Sequence, residues 1–308
     1  MAKKLKVLIT GSNGLLGQKI IDLHADFGVD LIATSAGEDR DPRPGYLYQS
    51  LDITDREAVF QTIAMHKPDV VINTAAMTNV DLCETERQQC DLINVEAVGH
   101  LADACLIHNA HLVHVSTDFI FDGEKGPYKE EDEARPINYY GLSKWKSEQL
   151  LQKHTVSYSI LRTGLVYGFI PKLSRSNIVL WAREALLKGQ PMNIVDDQFR
   201  TPSWAEDLAQ GCLLAATKKA SGIFNISGPD FMNMYELVQI VAREWGLDST
   251  LIKRASTDFV NQRAKRPPKT GFIISKAQKE LGYEPYSFVE SLRMIEKQMK
   301  KHDEGRNH

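Results

Sequence analysis

Thr10-Gly11-Ser12-Asn13-Gly14-Leu15-Leu16-Gly17 follows directly on the apolar run Leu5-Lys6-Val7-Leu8-Ile9 and leads into a segment with helical periodicity. A buried strand, a glycine turn and a helix in that order form a phosphate-binding arrangement. One glycine permits the tight turn, the next lets backbone N–H groups reach a pyrophosphate, and the last lets helix and strand pack closely. The helix N-terminus then presents its partial positive charge to the phosphates. Glycines are common in turns, so three of them elsewhere would say little. Between the first strand and the first helix they make Gly11, Ser12, Asn13, Gly14, Leu15, Leu16 and Gly17 candidate dinucleotide contacts.

Working outward, strands and helices alternate. The pattern predicts a helix over 15–27, a strand over 29–34 and a helix from about 55 to 66, opened by a capping box at Thr54-Asp55-Arg56-Glu57. Strands follow over 69–73, 111–115 and 158–162, with helices over 94–109 and 139–153 between them. This rhythm indicates an α/β fold of Rossmann type, a doubly wound parallel sheet with a smaller C-terminal α/β substrate lobe. After Gly168 helical stretches dominate, separated by short strands near 192–195 and 223–226, with capping boxes at Ser203, Asn233 and Ser287. We expect residues 1–169, with about 204–228 returning to them, to form the NAD(P)-binding lobe. Residues 170–203 and 229–308 would form the other wall of a cleft. The charged tail from Lys297 to His308 is expected to fray.

Composition narrows the functional classes. With 308 residues, 43% of them apolar and 25% charged, the chain can bury a large core without staples. The 37 Lys+Arg against 40 Asp+Glu remove the basic excess that nucleic-acid binding wants. The four cysteines, Cys83, Cys90, Cys105 and Cys212, show no ligand spacing and read as small core residues in a reducing compartment. Lys3 and Lys4 precede too short an apolar stretch for a signal peptide, and no run spans a membrane, so a cytoplasmic location is expected.

Two further clusters carry chemistry. Tyr140 and Lys144 are spaced i, i+4 on a predicted helix, so the ammonium can favour the phenolate and make Tyr140 a proton donor or acceptor. The strand ending at Val115 delivers Ser116-Thr117-Asp118 at its carboxyl end, the edge where open α/β sheets bind ligands. Thr117 there can hold a carbonyl oxygen between itself and Tyr140. At the end of the second strand no acid follows that would bind a ribose 2′-OH. Ser35, with Arg40 and Arg43 nearby, leaves room for a 2′-phosphate, which favours NADPH over NADH.

With these residues in view, the sequence resembles the extended short-chain dehydrogenase/reductases, and within them the dTDP-4-dehydrorhamnose reductase family. The T-G-x-x-G-x-x-G turn carries part of the resemblance. Leu51-Asp52-Ile53, Asn73-Thr74-Ala75-Ala76-Met77-Thr78, Val80-Asp81 with Glu84, and Ser116-Thr117-Asp118-Phe119 add to it. So do Pro136-Ile137-Asn138-Tyr139-Tyr140-Gly141, Arg162-Thr163, Val166-Tyr167, Asp197-Gln198 and Arg266-Pro267. The resemblance implies that Thr117, Tyr140 and Lys144 form the catalytic set and that Lys144 binds the nicotinamide ribose. It places Asp52 and Ile53 at the adenine, Ala75 and Ala76 against the cofactor, and Asn94 in a mainly architectural role. Asp118, Phe119, Leu165, Asn177, Arg200 and Arg266 become substrate candidates.

The implied reaction is reduction of the C4 keto group of a 4-dehydro-6-deoxy sugar nucleotide. Sugar-nucleotide dehydratases of the superfamily follow the threonine with Asp-Glu, and here Phe119 follows Asp118, which speaks against dehydration. Two departures leave the sugar open: Gly164-Leu165 stands where a tryptophan is frequent, and Arg200 where a small residue is usual. Another sugar-nucleotide reductase or an epimerase is the alternative, as is a regulatory subunit resembling the methionine adenosyltransferase beta subunit. The expected partner is the sugar nucleotide, without nucleic acid or membrane, and a homodimer is left open. Mg2+ is associated with the reductase family, but no residue here argues for a metal site.

Overall fold

The computed structural model describes residues 4–172, 176–260 and 262–306. Its strands are β1 (Leu5–Thr10), β2 (Val29–Ser35), β3 (Leu47–Ser50), β4 (Val70–Asn73), β5 (His111–Thr117), β6 (Tyr158–Thr163), β7 (Val166–Tyr167), β8 (Met192–Val195), β9 (Phe199–Arg200), β10 (Ser203–Trp204), β11 (Gly222–Asn225), β12 (Met232–Asn233) and β13 (Ile252–Ala255). The central sheet has the order β11-β6-β5-β4-β1-β2-β3, every pairing parallel. Chain order reverses at β1, which has β2 on one side and β4 on the other. The crevice beyond the carboxyl ends of β1 and β4 is therefore the topological switch point, where sheets of this kind bind ligands.

Both faces of the sheet are covered, which is why its inner strands are apolar almost throughout. Val7 and Ile9 of β1 pack with α1 (Leu15–Leu23), while Leu8 points the other way, toward α2 (Arg56–His66). The intervening segment folds as α3 (Val80–Thr85), α4 (Arg87–Asp91), a π turn (Leu92–Glu96) and α5 (Ala97–Ile107). On the Leu8 face α2 and α5 are joined by α6 (Tyr139–Lys153). A separate core belongs to the smaller lobe, where α7 (Ile178–Leu187) precedes α8 (Ala205–Lys218), which instead packs on the sheet beside α1. That lobe's core is completed by α9 (Met234–Glu244) and, after the exposed α10 (Thr257–Val260) and α11 (Ser275–Leu281), which packs in the sheet's core, by α12 (Phe288–Arg306). No described helix is long and apolar enough to cross a membrane.

Several local expectations change. The edge strand β3, Leu47-Tyr48-Gln49-Ser50, is half polar and half exposed and shows no strand period. The cap of α2 is Asp55, accepting from Ala58 N at 3.0 Å, because the Thr54 hydroxyl donates to Asp52 instead. Ser203 lies in β10 rather than capping α8, its hydroxyl accepting from Thr163 at 2.8 Å. The boxes at Asn233 and Ser287 do form. The charged tail remains helical to Arg306, because Leu292, Ile295 and Met299 anchor one face of α12 in the smaller lobe's core. Asn307 and His308, like Lys3, lie outside the described residues. All four cysteines are buried and free.

The helix α6 is fixed to the sheet by charge as well as by packing. Arg162 of β6 reaches Glu148 of α6 at 2.8 Å, and both side chains are almost wholly buried. Glu148 also accepts from Ser116 Oγ at 2.5 Å, and Arg162 donates to Glu130 O at 2.9 Å. Removing one member leaves the other charge buried alone, which costs about 3–5 kcal/mol. Arg162→Met should therefore lower the unfolding free energy by about that amount in urea titration, whereas a change under 1 kcal/mol would mean that the pair does not hold α6.

Candidate active site

The glycine turn is shaped by close backbone approaches. Gly11 has φ +71°, and a Cβ there would lie 2.8 Å from Ala75 N. A Cβ on Gly17 would lie 2.5 Å from Gly11 O and 2.6 Å from Ser12 Cα, so only glycine lets α1 sit against the turn. Gly14 caps α1 without a side-chain acceptor, which leaves the first N–H groups of the helix free to meet an anion. Ser12 Oγ is buried and has no hydrogen-bond partner. An orphaned hydroxyl beside uncapped N–H groups fits a phosphate, so this turn suits the pyrophosphate of a dinucleotide. Leu15 and Leu16 form the start of α1.

Asn13 holds the neighbouring loop, donating to Glu38 O at 2.9 Å and accepting from Arg40 N at 3.0 Å. Ser35 closes β2 and no carboxylate follows it directly, while the exposed Arg40 side chain makes no ion pair with a described residue. Arg43 is committed elsewhere, to Asp22 at 2.5 Å and Gln18 at 2.7 Å. Asp52 is exposed and accepts from Thr54, while Ile53 packs in the core beside it. Ala75 lies against Gly11, and half-buried Ala76 continues the same segment beyond β4.

Thr117 ends β5, and its hydroxyl accepts from Phe119 N at 3.3 Å, capping a single 3-10 turn over Asp118–Ile120. Facing it across the cleft is half-buried Tyr140 in the first turn of α6. A Cβ on Gly141 would overlap Phe119 O, so the glycine brings α6 down onto the end of β5. Burial raises the Tyr140 phenol above its ordinary value, and the Thr117 hydroxyl acts in the opposite direction. Lys144, one turn on, is 2% exposed. Burial lowers it to about 8, opposed by the Glu148 carboxylate. Its amine lies 3.1 Å from His114 Nε2, a neighbour that strand periodicity did not single out. Asn94, in the π turn, bonds the backbone of Met77 at 2.8 and 3.0 Å and Ser143 Oγ at 3.0 Å. Its contacts are architectural, tying the segment after β4 to α6.

The substrate candidates divide. Phe119 meets Tyr140 edge-on with ring centroids 6.1 Å apart, beside the proton-bearing group. Leu165 is half-buried with φ +44°, a strained conformation for a branched side chain and one that concentrates at functional sites. Asp118 and Arg200 are both buried and face each other, with Nε 3.7 Å from the carboxylate. Asp118 also accepts from Thr270 and from Thr117. A Cβ on Gly164 would lie 2.7 Å from that carboxyl, so Gly164 makes room for the pair. Arg266 grips Asp81 through both oxygens, at 2.8 and 2.7 Å, which holds the Asp81 carboxyl down at about 2. Asn177 is spent on capping α7 and on Gly168 O. Arg200, Arg266 and Asn177 thus have internal partners and join the smaller lobe to the cleft rim.

Known proteins resemble this chain along most of its length. A family profile described as RmlD substrate binding domain matches residues 5–301. The chain is 31% identical to a dTDP-4-dehydrorhamnose reductase from Aggregatibacter actinomycetemcomitans, covering 94% of this chain and 98% of the relative. It is 30% identical to methionine adenosyltransferase 2 subunit beta of Mus musculus, over 89% of this chain and 81% of that protein. Among solved structures, a Bacillus anthracis dTDP-4-dehydrorhamnose reductase in complex with NADP superposes with a TM-score of 0.81 at 25% identity, covering 95% and 99% of the two chains.

The turn's geometry is directly testable. Gly17→Ala forces a methyl into the Gly11 carbonyl and should destabilise the protein by about 1–3 kcal/mol in a thermal or urea melt. An unchanged melt would show that α1 does not rest on the turn.

Proposed function

The chain belongs to the RmlD substrate-binding domain family, close to the NAD(P)-dependent dTDP-4-dehydrorhamnose reductases, and from that premise we propose the reaction it performs. It reduces the C4 keto group of a 4-dehydro-6-deoxy sugar nucleotide with NADPH, dTDP-4-dehydro-L-rhamnose being the first substrate to try. The observation that carries this reading is the Thr117 hydroxyl at the carboxyl end of β5 acting on the Tyr140 phenol, with Lys144 buried one turn further along α6. Residues 1–169 with 204–228 serve as the cofactor lobe, and 170–203 with 229–308 as the substrate lobe.

The N–H groups of Gly11 to Gly17 would hold the pyrophosphate, with Asp52 and Ile53 at the adenine and Ala75 and Ala76 along the chain of the cofactor. Ser35 and Arg40 would meet a 2′-phosphate, and Lys144 the nicotinamide ribose. When bound, the nicotinamide supplies the hydride. Tyr140 gives its proton to the C4 oxygen, and burial keeps the phenol protonated until that moment. Thr117, whose hydroxyl proton rests on Asp118 in the free protein, would turn it to the developing oxyanion, where a donor is worth most. The Lys144 ammonium stabilises the phenolate left behind. Phe119, following Asp118, supplies no base for water elimination, so reduction is left as the chemistry of the site.

The similarity to methionine adenosyltransferase 2 subunit beta supports a second reading, a binding subunit without turnover. The complete Thr117, Tyr140 and Lys144 set favours the enzyme, and NADPH binding without consumption across a panel of keto-sugar nucleotides would favour the subunit.

Two variants test the roles. Tyr140→Phe should cut kcat by at least about 100-fold while leaving NADPH affinity unchanged, since a positioned acid contributes 10²–10⁴. Near wild-type turnover would remove Tyr140 as the proton donor. Ser35→Asp sets a carboxylate against the 2′-phosphate and should shift the NADPH/NADH affinity ratio toward NADH by about tenfold or more. An unchanged ratio would place the 2′-phosphate elsewhere.

A further inference from the structure

Three adjacent parallel strands carry a polar residue at the same level. Thr10 of β1 is in register with Asn73 of β4, and Asn73 with His114 of β5. The flanking residues Ile9, Ile72 and Val113 of the same strands are apolar, and all three polar residues are 1% exposed. Their side chains form a ladder. Thr10 Oγ1 lies 2.6 Å from Asn73 Oδ1, Asn73 Nδ2 lies 3.2 Å from His114 Nδ1, and His114 Nε2 lies 3.0 Å from Ser147 Oγ and 3.1 Å from Lys144 Nζ. The ladder thus runs from the edge of the glycine turn to the buried amine of α6.

Hydrogen-bond accounting gives the ladder a direction. Ala75 N–H points at Thr10 Oγ1 at 3.4 Å, so Thr10 accepts there and gives its own proton to the Asn73 oxygen. Asn73 then presents its amide N–H to His114 Nδ1, and the imidazole proton is left on Nε2. Ser147 has given its proton to Lys144 O at 2.7 Å, so the one Nε2–H is shared between two acceptors, Ser147 Oγ and Lys144 Nζ. The Lys144 amine therefore faces an N–H, which a free amine accepts and an ammonium opposes. Protonating Lys144 in this setting requires the imidazole to change tautomer and the Asn73 amide to turn over. Thr10 would then receive two N–H groups and lose the acceptor of its own proton.

We infer that His114 is a positioning residue: it presents Nε2–H to Lys144 and couples the ionisation of that amine to the Thr10–Asn73 ladder at the cofactor turn. The other groups facing Lys144 are Glu148 on α6, which Arg162 of β6 holds, and the Cys90 thiol on α4. Burial and the neighbouring lysine hold His114 neutral, so it acts through its tautomer and not through charge. In the proposed reaction, on which this role rests, the ammonium form is the working one. Activity is then lost as pH rises through the Lys144 titration, and the ladder sets where that happens.

The test reads the resting protein by 15N and 13C NMR of labelled histidine and lysine, so it is independent of turnover. Wild type should show Lys144 titrating near 8, with His114 protonated at Nε2 above that titration and changing to Nδ1–H as the amine takes up its proton. Thr10→Val touches neither side chain, yet it frees Asn73 to turn and should move His114 toward the Nδ1–H tautomer. The Lys144 midpoint should then rise by about one pH unit. His114→Gln offers the amine a carbonyl and should raise the midpoint likewise, and the basic limb of the reduction rate should move with it. An Nδ1–H tautomer in wild type above the Lys144 titration, a tautomer that does not change across it, or a Lys144 midpoint that ignores both variants, would overturn the inference. If the protein reduces no keto sugar but the tautomer and midpoints behave as stated, the ladder stands and the proposed reaction falls.

Discussion

An amine buried beneath a parallel sheet is the constraint from which the rest of this site follows. Removing the Lys144 ammonium from water costs several kcal/mol unless polar partners surround it. The structure supplies them from each neighbouring element. Glu148 stands one turn further along α6 and is itself held by Arg162 and Ser116. His114 reaches up from β5 with the Thr10–Asn73 ladder behind it. Because Tyr140, Lys144 and Glu148 recur every four residues, one helix face carries the proposed proton donor, its proposed electrostatic partner and the ion pair that fixes the helix. The polar residues interrupting otherwise apolar strands thus lie under Lys144, where they are needed.

The second constraint is close approach. Gly11 and Gly17 let α1 rest on the turn, Gly141 lets α6 rest on the end of β5, and Gly164 clears space for the Asp118–Arg200 pair. This last contact accounts for Arg200 and Gly164 together. A buried arginine at position 200 needs a carboxylate, Asp118 supplies it, and the carboxylate occupies the space a side chain at 164 would take. The pair also bonds the smaller lobe to the strand end that carries Thr117, so the cleft wall and the catalytic edge are one unit.

Much of this was legible in the sequence, for physical reasons. The sheet was readable because its inner strands are buried on both faces and so are continuously apolar, and the glycine turn because its spacing follows from sterics. Tyr140, Lys144 and Thr117 could be brought together because helical spacing and the carboxyl-edge rule both act locally. The edge strand β3 escaped because a half-exposed strand need not be apolar. Arg200 and Arg266 read as substrate contacts because their partners, Asp118 and Asp81, are distant in sequence. His114 carries no signal of its own in the sequence. Its neighbours come from β4 and α6, and only strand register shows that Thr10, Asn73 and His114 form a row. A polar residue at the same depth in several consecutive apolar strands is the signal that would have found it.

The central claim is that this cleft delivers a hydride to C4 of a keto-sugar nucleotide while Tyr140 delivers the proton. The most direct measurement mixes the protein with dTDP-4-dehydro-L-rhamnose and NADPH deuterated at the nicotinamide C4, follows NADPH absorbance and locates the label in the product. The account predicts one NADPH consumed per sugar reduced, with deuterium at sugar C4. NADPH that binds but is not consumed, or a sugar product formed without the label, would contradict it.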